Sequence, residues 1–334
     1  MKRLCTLAIA AIMSGLAAAA ADAQSFTMKL SSPTINDVTQ EWMKEFKAGV
    51  EARSEGRIKA EIYPANQLGQ IPATVEGVAL GTIEVTSPAS GFFVGFDPRF
   101  QVFDAPGLFT DMAHAQRVFA DPEIRARLAT FGNSKGMEPI AIMAHGPLML
   151  LSHRPVRRTA DFRGQKIRVP GAAPLQIEPF RKLGASPISM PLGEVLPAMQ
   201  NKTIDGLVAS GTVFTAFKYY DLAKGLTILQ GSFLIVPSMA STAFLKSLGP
   251  DLETIVRDEA FKAQQKVGAW AIEDVERTFA AWRNNGGEII TMSDGESEVY
   301  LGQVRSVLPG VMKSYPTIAA DYDALVAAAQ RRQR

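Results

Sequence analysis

The chain has 334 residues and a formal net charge of +2, with 35 Lys and Arg against 33 Asp and Glu. A balance this even, with both signs scattered along the chain, argues against nucleic acid as a partner. The single cysteine, Cys5, lies in an apolar amino-terminal run, so the remainder has no thiol for a disulfide, a cysteine nucleophile or a thiolate metal site.

The first three residues, Met1-Lys2-Arg3, are basic. An apolar run from Leu4 to Ala20 follows, then the small-x-small sequence Ala21-Asp22-Ala23. The run is shorter than the roughly 18 to 20 apolar residues that span a bilayer. Residues 1–23 therefore read as a secretory signal peptide, with the mature chain starting at Gln24 and working in the periplasm. About 310 residues remain, enough for two moderate lobes.

Phe26, Met28 and Leu30 alternate with polar neighbours and predict a strand. Trp42, Phe46 and Val50 recur at helical spacing, and Gly56 closes that helix before Ile58, Ala60 and Ile62 alternate again, a β-α-β pattern. An apolar segment at 75–80, a short strand at 83–86 and a helix over 112–131 broken at Asp121-Pro122 come next. Strands follow at 139–144, 148–152 and 165–169, and helices at 175–183, 194–200 and 213–220. Alternation of this kind predicts an α/β fold with helices against the sheet faces. A single helix is predicted over 250–283, from Pro250 in its first turn to the stop signal Asn284-Asn285-Gly286-Gly287. Such a helix is about 50 Å long, more than one small domain covers, and is expected to tie two lobes together with Trp270 and Trp282 as its anchors.

Motifs for chemistry are sparse. No two of His114, His145 and His153 have the i, i+4 spacing of a zinc helix, and each is expected to be structural or on the surface. The sequence has no nucleophile elbow, phosphate loop or dinucleotide fingerprint. No metal or cofactor is expected, and no catalytic residue is assigned. The segment from Asp161 to Pro170 is different: a turn feeds a short strand in which Ile167 and Val169 share one face and Lys166 and Arg168 the other. Pro170 ends it, placing Arg168 at the carboxyl edge of a strand, where α/β sheets bind ligands. A guanidinium there presents a planar fork of donors matched to a carboxylate. A solvated Arg closing a strand end is the plain alternative.

Six segments occur in a telling order: Gly56-Arg57-Ile58-Lys59 with 63–69, then 80–84, then Gly164-Gln165-Lys166-Ile167-Arg168-Val169-Pro170, then 183–191, then Glu194-Val195 with Ala198-Met199-Gln200, and Ile204-Asp205-Gly206. Through them the chain resembles the solute-binding proteins of TRAP (tripartite ATP-independent periplasmic) transporters, of the dicarboxylate-binding protein type. The resemblance implies a periplasmic binding protein fold: two α/β lobes around a ligand cleft, joined by crossing strands and a long helix. One lobe would hold 24–145 plus 234–272 and the other 146–233 plus 273–334, with 250–283 spanning both. It implies a binding protein rather than an enzyme, with a small organic acid as ligand and the membrane subunits of a TRAP transporter as partners. Arg168 would take the ligand carboxylate.

Departures from the family bear on specificity. Where sialic-acid-binding members carry a second Arg this chain has Leu148, and where an aromatic is common it has Leu192-Gly193. Leu207-Val208-Ala209-Ser210 stands where many relatives are polar. The expected ligand is thus a carboxylate with a largely apolar body, held by Arg168 among Leu148, Leu192, Ala209, Ser210 and Ser90. Phe92, Phe93 and Phe214 are candidate walls or core residues. An extracytoplasmic sensor feeding a membrane kinase, or a periplasmic enzyme using cleft carboxylates, stays open as an alternative. The motif series and the long helix disfavour an ABC-type binding protein.

Overall fold

A computed structural model describes residues 25–333, so the expected signal segment 1–23 lies outside the described residues. In chain order, β1 (Phe26–Ser31), α1 (Val38–Arg53), β2 (Ile58–Tyr63), α2 (Ile71–Leu80) and β3 (Val85–Thr86) build the first half of a sheet. Two 3-10 segments, Ser90–Phe93 and Pro98–Asp104, lead into α3 (Met112–Ala120), α4 (Pro122–Leu128) and the long strand β4 (Met137–Ser152). The second half holds β5 (Lys166–Val169), α5 (Pro174–Lys182), β6 (Ser186–Ser189), α6 (Leu192–Gln200), β7 (Gly206–Ser210) and α7 (Gly211–Ala216). A second long strand, β8 (Gly225–Ser241), returns to the first half. The chain ends in α8 (Thr242–Ser247), α9 (Gly249–Asn284), β9 (Glu288–Ile290), α10 (Asp294–Arg305), α11 (Leu308–Ser314) and α12 (Pro316–Arg331).

The nine strands form one mixed sheet in the order β2-β1-β3-β8-β4-β7-β5-β6, with β9 on the far end of β8. Antiparallel β4 and β8 run through both halves, and irregularities between Pro139 and Ala141, Ala144 and Gly146, and Pro147 and Met149 interrupt their register. Bulges of this kind let one ladder bend between two lobes without losing its pairing. The strands expected separately at 139–144 and 148–152 are therefore one, because the intervening residues stay paired across a bulge, and β8 carried no prediction at all.

The predicted helix over 250–283 is present as α9, 36 residues and about 54 Å long. Its anchors differ in part from those expected. Trp282 is fully buried against Phe214 and Tyr220, and its Nε1 donates to Lys224 O (3.0 Å). Trp270 is only half-buried and is covered by the Arg277 guanidinium instead. The anchor in the first half comes from the facing helix, where buried Trp42 of α1 donates Nε1 to Ala260 O (3.0 Å). The carboxyl-terminal helix also departs from the expected division. Although α12 follows second-half elements in sequence, it packs on 98–104, α3 and α4, with Asp321 bound to Arg127 and Ala329 O bonded to His114.

Candidate functional site

Arg168 is carried by β5, which lies between β6 and β7 in parallel pairing, so its side chain leaves the carboxyl edge of the sheet at the seam of the two halves. It is 2% exposed, which removes the solvated alternative. Nε donates to Met190 O (2.9 Å) and Nη1 to Val208 O (3.2 Å). No carboxylate pairs with it among the described residues. A guanidinium has five N–H groups, so three remain, one on Nη1 and two on Nη2, enough for a two-pronged grip on an anion. Burial depresses its pKa to about 10, so it stays charged at neutral pH. The nearby Tyr219 hydroxyl, pushed up by burial to about 12, is neutral and supplies no counter-charge.

The guanidinium borders a small cavity at the seam of the two halves. Its wall is mainly apolar: Pro33, Ile71, Ala89, Phe92, Pro170, Leu192, Ala209, Val213, Leu234 and Val236, with Thr34, Ser87 and His145 as the polar members besides Arg168. Among these residues Arg168 is the only Lys or Arg. Phe92, Leu192 and Ala209, three of the expected site residues, line this cavity with Arg168. Leu148 does not, because it faces a neighbouring cavity with Val169, Phe103 and Gln176 on the other side of Pro170. Ser210 is fully buried behind the wall, and Ser90 turns its hydroxyl to Asp104. Phe214 packs on Tyr219 and Trp282, and Phe93 on Phe100, so both belong to the core.

His145 corrects the expectation for the histidines. His114 and His153 do serve structure, bonded to Ala329 O and Met199 O respectively. His145, on β4, lines the cavity. Its Nε2 donates to Asp37 Oδ2 (3.0 Å), and its Nδ1 is bonded to Ser210 Oγ (2.7 Å). Burial pushes Asp37 up, but the charge and hydrogen bond of His145 outweigh it and hold the carboxyl below its usual range. Asp37 also caps α1 by accepting from Gln40 N (3.0 Å), which locks the ring to the first half while Ser210 holds it to the second. A serine, a histidine and an aspartate in series have the makings of hydrolytic chemistry. Here Ser210 is fully buried and does not border the cavity. Asp37 is legible in sequence as a helix cap, but nothing local links it to a histidine 108 positions away.

The fold and site meet known proteins at this point. The 2,3-diketo-L-gulonate-binding periplasmic protein YiaO of Escherichia coli K12 is 28% identical over 267 residues, 79% of this chain and 81% of that protein. Two solved TRAP periplasmic solute-binding proteins superpose over nearly their whole length. One, from Haemophilus influenzae with bound L-gulonate, has a TM-score of 0.85 at 23% identity and covers 91% of this chain and 100% of its own. The other, from Desulfovibrio salexigens with bound orotic acid, has a TM-score of 0.83 at 23% identity and covers 92% and 98%. Their two-lobe fold is the fold of this chain. Residues 31–312 match the family described as bacterial extracellular solute-binding protein, family 7 (DctP), and the chain belongs to that family.

Proposed function

We propose that this protein captures a small organic acid whose carboxylate docks on Arg168 and whose body is largely apolar, such as a branched or aromatic oxo or hydroxy acid. The observation that carries the reading is a buried guanidinium at the edge of an apolar cavity, with unspent donors and no carboxylate partner among the described residues. Taking a charge out of water costs several kcal/mol unless a partner offsets it, so the site favours an anion. Each hydroxyl stranded against the apolar wall costs about 1 to 3 kcal/mol, which selects against sugar acids even though relatives carry them. Capture is not catalysis, and the ligand is returned unchanged after long incubation. The protein is exported by residues 1–23, works in the periplasm, and hands its cargo to the membrane subunits of a TRAP transporter. Its lobes follow 24–145 plus 234–272 and 146–233 plus 273–315, with α12 docked on the first.

A thermal-shift screen tests the ligand class, using 4-methyl-2-oxopentanoate, phenylpyruvate, succinate, gluconate and sialic acid at equal concentration. The apolar-bodied acids should give the largest rise in melting temperature. A rise confined to the polyhydroxylated acids sinks the reading.

A further inference from the structure

Next to the Arg168 cavity, and sharing Pro170 with it, the two lobes meet across a buried carboxyl. Asp104 closes the first-half 3-10 segment Pro98–Asp104, and Gln176 stands on second-half α5. Gln176 Nε2 donates to Asp104 Oδ1 (2.9 Å), and Ser90 Oγ donates to the same oxygen (3.3 Å). The other oxygen, Oδ2, is buried with no hydrogen-bond partner, and so is Gln176 Oε1. Buried oxygens without donors are costly and rare, and two on the paired side chains of one seam point to a missing hydrogen.

The seam is tight. A Cβ on Gly91 would fall 2.7 Å from Gln176 Oε1, and one on Gly171 would fall 2.6 Å from the Gly91 backbone. Among the described residues no cation pairs with the carboxyl: Arg305 on α10 donates to Gly107 O, and Lys182 on α5 is exposed. Arg99 on the same segment is bound to Asp97, Arg181 on α5 to Glu178, and Asp321 on α12 to Arg127, while Asp323 is exposed. The segment Ser90–Phe93 and β8 bring no titratable side chain. Tyr300, across the cavity, has its hydroxyl pushed up by burial and stays neutral.

We infer that Asp104 carries a proton when the lobes are closed and loses it when they part, so that closure on ligand takes up one proton and is weakened by rising pH. The inference rests on the solute-capture reading and adds its regulation. A proton on Asp104 Oδ2 turns that unpartnered acceptor into a donor. Burial pushes the carboxyl from its ordinary 3.8 up to about 7 in the closed form, against the hydrogen bonds of Gln176 and Ser90. In the open form water reaches it and the ordinary value returns. The closed state then binds the extra proton between about pH 4 and 7. Its advantage is full at the acid end and falls by up to about tenfold per pH unit as pH rises toward 7.

Calorimetric titration with 4-methyl-2-oxopentanoate, in two buffers of different ionisation enthalpy, reads the proton directly. At pH 6 the wild type should take up close to one proton per ligand, and at pH 8 few. Asp104→Asn, which supplies a permanent donor of the same shape, should take up none and bind with an affinity flat between pH 5.5 and 7.5. Gln176→Ala, which admits water to the carboxyl, should lose the uptake too and covers the case of a misfolded Asp104→Asn. Binding with no uptake, or with the same uptake in both variants, overturns the inference. If no heat appears with this acid or the rest of the panel, the ligand reading fails instead. The latch is then judged on ligand-free protein spin-labelled through Glu76→Cys and Gln200→Cys. Acidification from pH 8 to 5.5 should shorten the interlobe distance in the wild type and not in Asp104→Asn, and any other pattern overturns it.

Discussion

Replacing Arg168 by Lys keeps a positive charge in the cavity and removes the planar fork. In the structure two of the five guanidinium N–H groups are spent on Met190 O and Val208 O, leaving three for the ligand. An ammonium has three N–H groups in all. If it satisfies the same two carbonyls, one is left, so at least one charge-assisted bond to the carboxylate disappears. Such a bond contributes about 1.5 to 3 kcal/mol net, equivalent to roughly a 10- to 150-fold rise in Kd. The assay is calorimetric titration with whichever panel acid most raises the wild-type melting temperature. The ligand-free melting temperature of the variant serves as a control for folding. A Kd within threefold of wild type in a folded variant would refute the assignment, since the fork would then contribute nothing that a point charge does not.

Three further outcomes follow from the same geometry. Gly171, at φ 155°, brings its backbone against Gly91 of the other lobe, and a methyl there would collide with that backbone. Gly171→Ala should weaken binding more than tenfold and, because alanine is strained at that φ, also lower the ligand-free melting temperature; an affinity unchanged below the variant's own transition would refute the contact. Asp37 has a folded pKa below its ordinary 3.8, so its contribution is present above about pH 4 and is lost as pH falls below that. Asp37→Asn preserves the helix cap and should melt lower than wild type at pH 7, with the gap closing toward pH 3; a gap that does not change with pH would contradict the His145 pairing. Trp282→Ala empties the buried contact between α9 and the Phe214–Tyr220 cluster and should cost about 3 to 5 kcal/mol in urea unfolding, where a loss under 1 kcal/mol would mean that α9 is held elsewhere.

Much of this protein is written locally. The helix α9 is legible to within a residue or so at each end, because Pro250 and the Asn-Asn-Gly-Gly stop bracket one long amphipathic period. The pair α3 and α4 is legible for the same reason, since Asp121 ends one helix and caps the next. Arg168 could be singled out because a strand, a charge and a terminating proline are consecutive. The motif series then placed the chain in its family. Local pattern failed where pairing is remote. The two crossing strands depend on partners 75 to 104 residues away, from Leu151 with Leu226 to Met137 with Ser241, so β4 looked like two strands and β8 like none. The resemblance drew attention to Leu148 and Ser210, but which side of a wall a side chain faces is set by the twist and bulges of the sheet. Trp42 replaced Trp270 as an anchor because the choice depends on which helix lies across α9. His145 with Asp37, and Asp104 with Gln176, are pairs joined only by the closing of one half on the other. Sequence alone pointed to an export signal, to most of the elements and to Arg168 as a candidate cation. Tertiary structure decided which buried groups meet, because burial and proximity belong to the packed chain and not to any stretch of it.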